Sequence, residues 1–412
     1  MNLLTKSALV VGAILASTSL VHAECRIETG SIQMLGNEFA ALQAVADRVE
    51  ECASETIDVS INLTKEFGKL QVAALSADPA EYSVVITDNG ALVPLMNEGL
   101  VRPLDDLVEQ YGEGLNESQL IRVDGKVMAI AFMANAQHLF YRADILEQVG
   151  VDIPSSYEEI IRAAQAIRDA GIMEHPFATN SKVGWNLGEE FVNMYLGYGG
   201  SFFAAGSAEP AINNQTGIDA LNSIKTLTEY SNPDFLTFDS NATQALWEAG
   251  EIALAIMWGS RGSSILDDEG STSQIVSNTV LAGAPSVGGN DKPATTLWWD
   301  GFAIAANASD EDAEASFRAM MHALSPGLLE AHNDKAVWLV RGYQPTPAAT
   351  GVSASASNGA SPYPMLPYMG LLHDALGANL GDFLQGREPA EQALADAEAA
   401  YRTAAREKGF LN

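Results

Sequence analysis

The residues of this chain with the greatest capacity for recognition chemistry fall in short clusters. They are Trp185-Asn186, Trp258 with Arg261, Trp298-Trp299-Asp300, and Arg341 with Tyr343 and Tyr368. Ser31 and Gln33, Asp88 and Asn89, and Asn135 add hydroxyl, amide and carboxylate groups near the ends of strand-like segments. A sugar presents apolar C–H faces ringed by hydroxyls, so its site needs flat aromatic surfaces together with planar carboxylate, amide or guanidinium groups for paired hydrogen bonds. This mixture suits a neutral carbohydrate or polyol. The simpler reading of each residue is also physical. A tryptophan packs into a core, and Trp247, on an apolar helical stretch, is expected to do so. Asp88, Asp300 and Asn135 can serve Asx turns or helix caps, and Arg341 can pair with a surface acid.

The constellations of common enzymes are missing from the sequence. It has no Gly-x-Ser-x-Gly elbow, no His-Glu-x-x-His zinc site and no Gly-Lys-Ser/Thr phosphate loop. His22, His138, His175, His322, His332 and His373 show no ligand spacing and read as surface or core residues. A secreted glycosidase, which needs two carboxylates across a cleft, is the enzymatic alternative. With 53 acidic residues, however, a carboxylate pair can be imagined anywhere. No catalytic residue, metal or cofactor is expected.

Export frames these residues. Lys6 gives a positive start, Ala8 to Val21 an apolar stretch too short and too broken by Ser17, Thr18 and Ser19 to span a bilayer, and Val21-His22-Ala23 a small-residue cleavage pattern. Residues 1–23 therefore read as a signal peptide, with the mature chain beginning at Glu24. Cys25 lacks the small and apolar residues before it that a lipid anchor needs. Cys25 and Cys52, the only cysteines, are expected to pair in an oxidising compartment, contributing roughly 3 to 4 kcal/mol by constraining the unfolded chain. The net charge of −31 argues against nucleic acid or an anionic membrane surface as partner. It also disfavours a multiply anionic ligand.

The elements that would position the site alternate strand and helix, the pattern of an α/β protein with mostly parallel sheets. Ile57, Val59 and Ile61 alternate with polar residues, and Tyr82 to Ile86 run into the turn Thr87-Asp88-Asn89-Gly90. Ser156 with Glu159 predicts a capping box opening a helix, and Ser309 with Asp312 predicts a second helix start, stopped by Pro326 and Gly327. Trp185 and Asn186 are expected in a loop before a helix over 189–196. Thr350 to Ser361, small and polar between prolines, predicts an exposed loop. After Pro389, Ala393, Leu394, Ala397 and Tyr401 share a helical face.

Four segments together resemble the solute-binding proteins of ABC importers related to maltose-binding protein. Ala129-Ile130-Ala131-Phe132 through Leu139-Phe140-Tyr141-Arg142-Ala143-Asp144-Ile145-Leu146, then Gly150 and the capped helix, looks like the family's first hinge crossing. Ile256-Met257-Trp258-Gly259 resembles its site strand, Asp300-Gly301-Phe302-Ala303-Ile304 its second crossing, and Gly386 to Ala404 its C-terminal helix. The resemblance implies a two-lobed periplasmic binding protein fold with several hinge crossings and a ligand cleft between lobes. Residues 24–132 and 301–335 would form the N-terminal lobe, and 133–300 and 336–412 the C-terminal one. It further implies a monomer in the periplasm that closes on a carbohydrate or polyol and delivers it to an ABC permease in the inner membrane. A sensor partner on the same fold is the alternative. Asn135 stands where the family more often has an acid, a departure from close maltose specificity.

Overall fold

The computed structural model describes residues 25–412; the signal segment 1–23 lies outside the described residues. Twelve strands appear among them: β1 (Ser31–Gly36), β2 (Asp58–Leu63), β3 (Val84–Asp88), β4 (Leu120–Val123), β5 (Lys126–Asn135), β6 (Gln137–Arg142), β7 (Phe177–Thr179), β8 (Leu254–Trp258), β9 (Thr279–Ala282), β10 (Thr296–Ile304), β11 (Val337–Trp338) and β12 (Ser361–Pro362). They form two separate sheets. The first runs β11-β5-β10-β3-β1-β2, with β4 beside β5 and β12 beside β10; the second runs β7-β8-β6-β9. β1 pairs in parallel with β2 and β3, whereas β10 runs antiparallel to both β3 and β5. Each sheet is buried on both faces, and its central strands are accordingly apolar runs rather than alternating ones.

The two sheets make a two-lobed molecule, and the chain passes between them several times. Ala136 is the single residue between β5 of the first sheet and β6 of the second. The return occurs at Thr295, whose hydroxyl donates to the Gln137 carbonyl at 2.8 Å, so the two crossings are tied together. A third crossing follows β11. A disulfide joins Cys25, before β1, to Cys52, after the Ala40–Glu50 helix.

Helix starts follow their sequence signals with one variation. Ser156 Oγ accepts from the Glu159 amide at 3.2 Å, but the Glu159 carboxylate accepts from Ser155 N rather than from Ser156. Ser309 caps the Asp310–Ala323 helix by accepting from Asp312 N. Pro326 does more than stop that helix. It opens the next one, Pro326–His332, because a missing amide costs nothing in a first turn.

Thr350 to Ser361 corrects the expectation of an exposed loop, since Thr350–Ser357 is a helix packed on β6 and β9. Its small residues permit close approach rather than flexibility. At Gly351 a Cβ would lie 2.2 Å from His138 Nδ1, so only glycine lets this helix rest on the buried imidazole. The C-terminal helix Ala390–Glu407 buries Ala393, Leu394, Ala397 and Tyr401 completely, as its spacing predicts.

Candidate ligand cleft

Where the crossings meet, three indoles come together. Ring centroids are 6.1 Å apart for Trp185 and Trp258, 5.5 Å for Trp185 and Trp298, and 6.0 Å for Trp258 and Trp298. They arrive on different elements. Trp258 ends β8 of the second sheet, Trp298 lies in β10 of the first, and Trp185 is the first residue of the Trp185–Gly197 helix. Trp258 and Trp298 are buried, while Trp185 is 45% exposed and leaves indole surface open to solvent.

Two further side chains complete the aromatic wall. Tyr363 lies 4.2 Å from Trp298, and His373 stacks on Trp185 at 4.8 Å. His373 Nε2 donates to the Trp185 carbonyl at 2.7 Å, which leaves Nδ1 to accept from the Tyr363 hydroxyl at 3.0 Å. The helix carrying His373, Met369–Asn379, approaches Trp185–Gly197 so closely that a Cβ on Gly188 would lie 2.6 Å from the His373 carbonyl oxygen. Burial holds His373 down at about 4, with the bond to Trp185 opposing, so the imidazole is neutral at physiological pH.

Beneath the indoles lies a buried polar layer from the helix after Trp185. Glu189 Oε1 accepts from Trp298 Nε1 at 3.0 Å and from Thr296 Oγ1 at 2.6 Å, and Thr296 also bonds Asn193 at 2.8 Å. Burial pushes Glu189 up to about 8, with the bonds from Thr296 and Trp298 opposing, and it pushes Glu190 up to about 7. Glu189 Oε2 sits 4.0 Å from His373 Nδ1. Since the acid is pushed up and the imidazole down, this contact joins two neutral groups and is not an ion pair. Glu189 Oε2, Glu190 Oε1, Gln137 Nε2 and both amide atoms of Asn180 are buried without a hydrogen-bond partner.

The first sheet contributes two carboxylates. Asp88 and Asp300 are directly opposed across β3 and β10, and Trp298 shares their face of β10. A Cβ on Gly90 would lie 3.3 Å from Asp88 Oδ1 and 3.4 Å from the Trp298 ring, which places this acid beside the indole. Asp88 Oδ1 accepts from the amides of Gly90 and Ala91 at 2.7 and 3.0 Å, an Asx turn that leaves its second oxygen free of these bonds. Burial raises Asp88 in spite of those amides, and burial together with the charge of Asp88 raises Asp300 to about 8.

The structure thus gathers Trp185, Trp258, Trp298, Asp88 and Asp300, and it places other candidates elsewhere. Ser31 and Gln33 lie at the opposite end of β1 from the cleft, roughly 20 Å along the strands from the Asp88 turn, where Ser31 bonds Asp312 and Gln33 N bonds Ser83. Asn89 spends its amide on Leu297 O and Trp299 N, and Asn135 spends its own on Ser260 and Ala136 N. Both therefore brace the cleft walls. Trp299 points to the other face of β10 and packs against the first-lobe cluster that contains Val85, Leu92 and Ala303. Arg261 donates to Gln244 at 3.3 Å. Arg341 is exposed after β11, Tyr343 packs on the first lobe's core, and Tyr368 bonds Ser207 O between Phe203 and Phe410. Asn186 is half-buried in the first turn beside Trp185, in the helix rather than in a loop.

Sequence reasoning missed Glu189, Glu190, Thr296, Tyr363 and His373. The adjacent acids in an otherwise apolar helix were the available signal. A separate hollow of about 370 Å³ on the second lobe, lined by Ile172, Met173, His175, Phe177, Leu246 and Ile252 among others, contains none of these aromatic groups. Among the described residues no helix is long and apolar enough to cross a membrane.

Known proteins share this fold. A mannitol-binding protein of Pseudomonas aeruginosa is 24% identical over 248 residues, covering 60% of this chain and 55% of that protein. The matches span only between 30% and 55% of the length of this and two other curated relatives. Among solved structures, a ribitol complex of an ABC transporter solute-binding protein from Agrobacterium radiobacter superposes with a TM-score of 0.79 at 21% identity, covering 92% of this chain and 99% of that one. A maltose-bound protein of T. maritima superposes with a TM-score of 0.78 at 18% identity, covering 91% of this chain and 100% of that one. The family model for bacterial extracellular solute-binding proteins matches residues 35–323, and with the two-lobed fold and its interlobe cleft in view, the chain belongs to that family.

Proposed function

We propose that this protein is the periplasmic substrate-binding component of an ABC importer, capturing a carbohydrate or polyol between its lobes and handing it to a permease in the inner membrane. The observation that carries the reading is the meeting of Trp185, Trp258 and Trp298, from three different elements and both sheets, around opposed carboxylates. Indole faces match the C–H faces of a sugar or polyol, and Asp88 and Asp300 accept from its hydroxyls. The mannitol-binding relative and the maltose- and ribitol-bound structures support this ligand class. The ligand contacts belong to Trp185, Trp258, Asp88 and Asp300, with Asn186 at the rim.

Closure follows from the crossings. A ligand touching both sheets has higher affinity for the closed form, and bending at Ala136, Thr295 and the segment after β11 brings the lobes together. The working form is a monomer that leaves its ligand chemically unchanged. The test is a thermal-shift screen of sugars and polyols on the mature chain, followed by small-angle scattering with the best binder. A smaller radius of gyration with ligand is expected. Trp185→Ala should weaken binding by about 1 to 3 kcal/mol. A non-carbohydrate as the tightest ligand would overturn the ligand class. Enzyme-dependent release of a hydrolysis product, lost in Asp300→Asn, would replace the binding role with a glycosidase.

A further inference from the structure

The ionisable groups gathered at the aromatic wall are almost all acids, and among the described residues none of the four carboxyl groups there pairs with a lysine or arginine. The groups acting on Asp300 are its own burial and Asp88; on Asp88, burial and two backbone amides; on Glu189, burial, neutral hydrogen-bond partners and Glu190; on Glu190, burial and neutral partners. No lysine or arginine acts on any of the four. Tyr363 experiences only further acids, Glu189, Asp88 and Asp374, and His373 beside it is neutral. Of the basic groups on neighbouring segments, Arg142 pairs with Asp144 and Lys182 with Asp239, while Arg261 donates to the neutral Gln244.

This pattern is unusual for a site that only accepts hydroxyl hydrogen bonds. Two carboxylates on one rung of a sheet repel each other, and a cation is the partner that lets both ionise. The indoles add to the same preference, because the face of an aromatic ring attracts a cation. Glu189 and Glu190 in the layer below, raised to about 8 and about 7 by burial, bring no positive charge to the wall.

We propose that, among sugars and polyols, the cleft selects those carrying a protonated amine and rejects those carrying a carboxylate or phosphate. The inference rests on the reading of the cleft as a sugar or polyol site and deepens it. An ammonium offers three donors to groups that only accept, and it fits between the Asp88–Asp300 pair and an indole face. An anionic substituent at the same place meets acids with no counter-charge, which is exclusion by repulsion. With Asp300 pushed up to about 8, the carboxylate pair holds a proton near neutral pH, and an arriving ammonium displaces it to the buffer.

Matched probe sets test this on the mature chain by calorimetry near neutral pH: glucitol, glucamine and gluconate, and glucose, glucosamine and glucuronate. In a set that binds, the amine member is expected to bind at least about tenfold more tightly than the neutral one, and the acid member to give no detectable heat. The heat of amine binding should vary with the buffer's ionisation enthalpy, showing proton release, while that of the neutral member should not. Asp300→Asn should reduce the amine-to-neutral ratio to about threefold or less, and Asp88→Asn provides the same reading from the opposite strand. Neutral and amine members binding within about a factor of two, or an acid member binding as tightly as the neutral one, overturns the proposal while leaving the sugar site standing. If no member of either set binds and no sugar or polyol in a broad screen does, the sugar-site reading falls and the proposal with it.

Discussion

Trp298→Ala is expected to destabilise the fold by about 3 to 5 kcal/mol, the range for removing a large buried aromatic side chain. The indole is 7% exposed, packs against Tyr363 at 4.2 Å and touches both other tryptophans. Its Nε1 donates to Glu189 Oε1, so alanine leaves a cavity and takes one of the two donors from a buried acid. Denaturant titration measures the loss as a lower midpoint at unchanged slope. Trp185→Ala is the contrasting variant. At 45% exposed, Trp185 should cost about 1 kcal/mol of stability or less while reducing ligand affinity more. Equal destabilisation by the two variants would show that Trp185 is a packing residue and not an open ligand surface.

The second large effect is a stability maximum on the acid side of neutrality. Glu189, Asp300 and Glu190 are raised to about 8, about 8 and about 7, well above the usual carboxylate range, so between that range and those values the folded protein binds more protons than the unfolded chain. Stability therefore falls as pH rises from about 5 to about 8. His138 and His373, both held down at about 4 by burial, act in the opposite sense. Below about 6.5 the unfolded chain binds their protons and the folded protein does not, so stability falls again toward pH 4. Melting temperatures measured across this range should peak near pH 5 to 6. Glu189→Gln keeps the shape of the neutral acid, and it should flatten the alkaline side and stabilise the protein at pH 8 by on the order of 2 kcal/mol. A melting temperature that climbs steadily from pH 5 to 8 would show that these acids are ionised in the fold.

Elements with a complete local signal were legible in the sequence. The helix after Ser156 carries both a cap and an apolar stripe, and the C-terminal helix carries an uninterrupted small-and-aromatic face. Features that depend on how one element meets another were not. Trp298-Trp299-Asp300 shows that a strand is decorated on both faces, but nothing local fixes which indole looks into the cleft. The rung pairing Asp300 with Asp88 decides it, placing Trp298 with the acids and Trp299 on the reverse. Ser31 and Gln33 are polar residues of a strand, but ligands gather at the other end of that strand, where the Asp88 turn lies. Thr350 to Ser361 read as a loop because small residues look alike whether they are solvated or closely packed. Tyr363 and His373 acquire their positions only when the Met369–Asn379 helix docks against the helix after Trp185.

The tryptophan trio also makes the molecule its own optical reporter. Three of the six indoles lie within about 6 Å of one another at one wall of the cleft, with Trp247 and Trp338 sealed in separate cores. Chromophores this close couple their electronic transitions, so the near-ultraviolet circular dichroism of the protein should be dominated by the wall and should change when a ligand alters the angle of Trp185. Excitation absorbed by the buried pair can also migrate to the exposed Trp185 before emission. A small solute quencher should therefore extinguish more fluorescence than a single accessible indole would explain, and ligand seated over Trp185 should protect that emission.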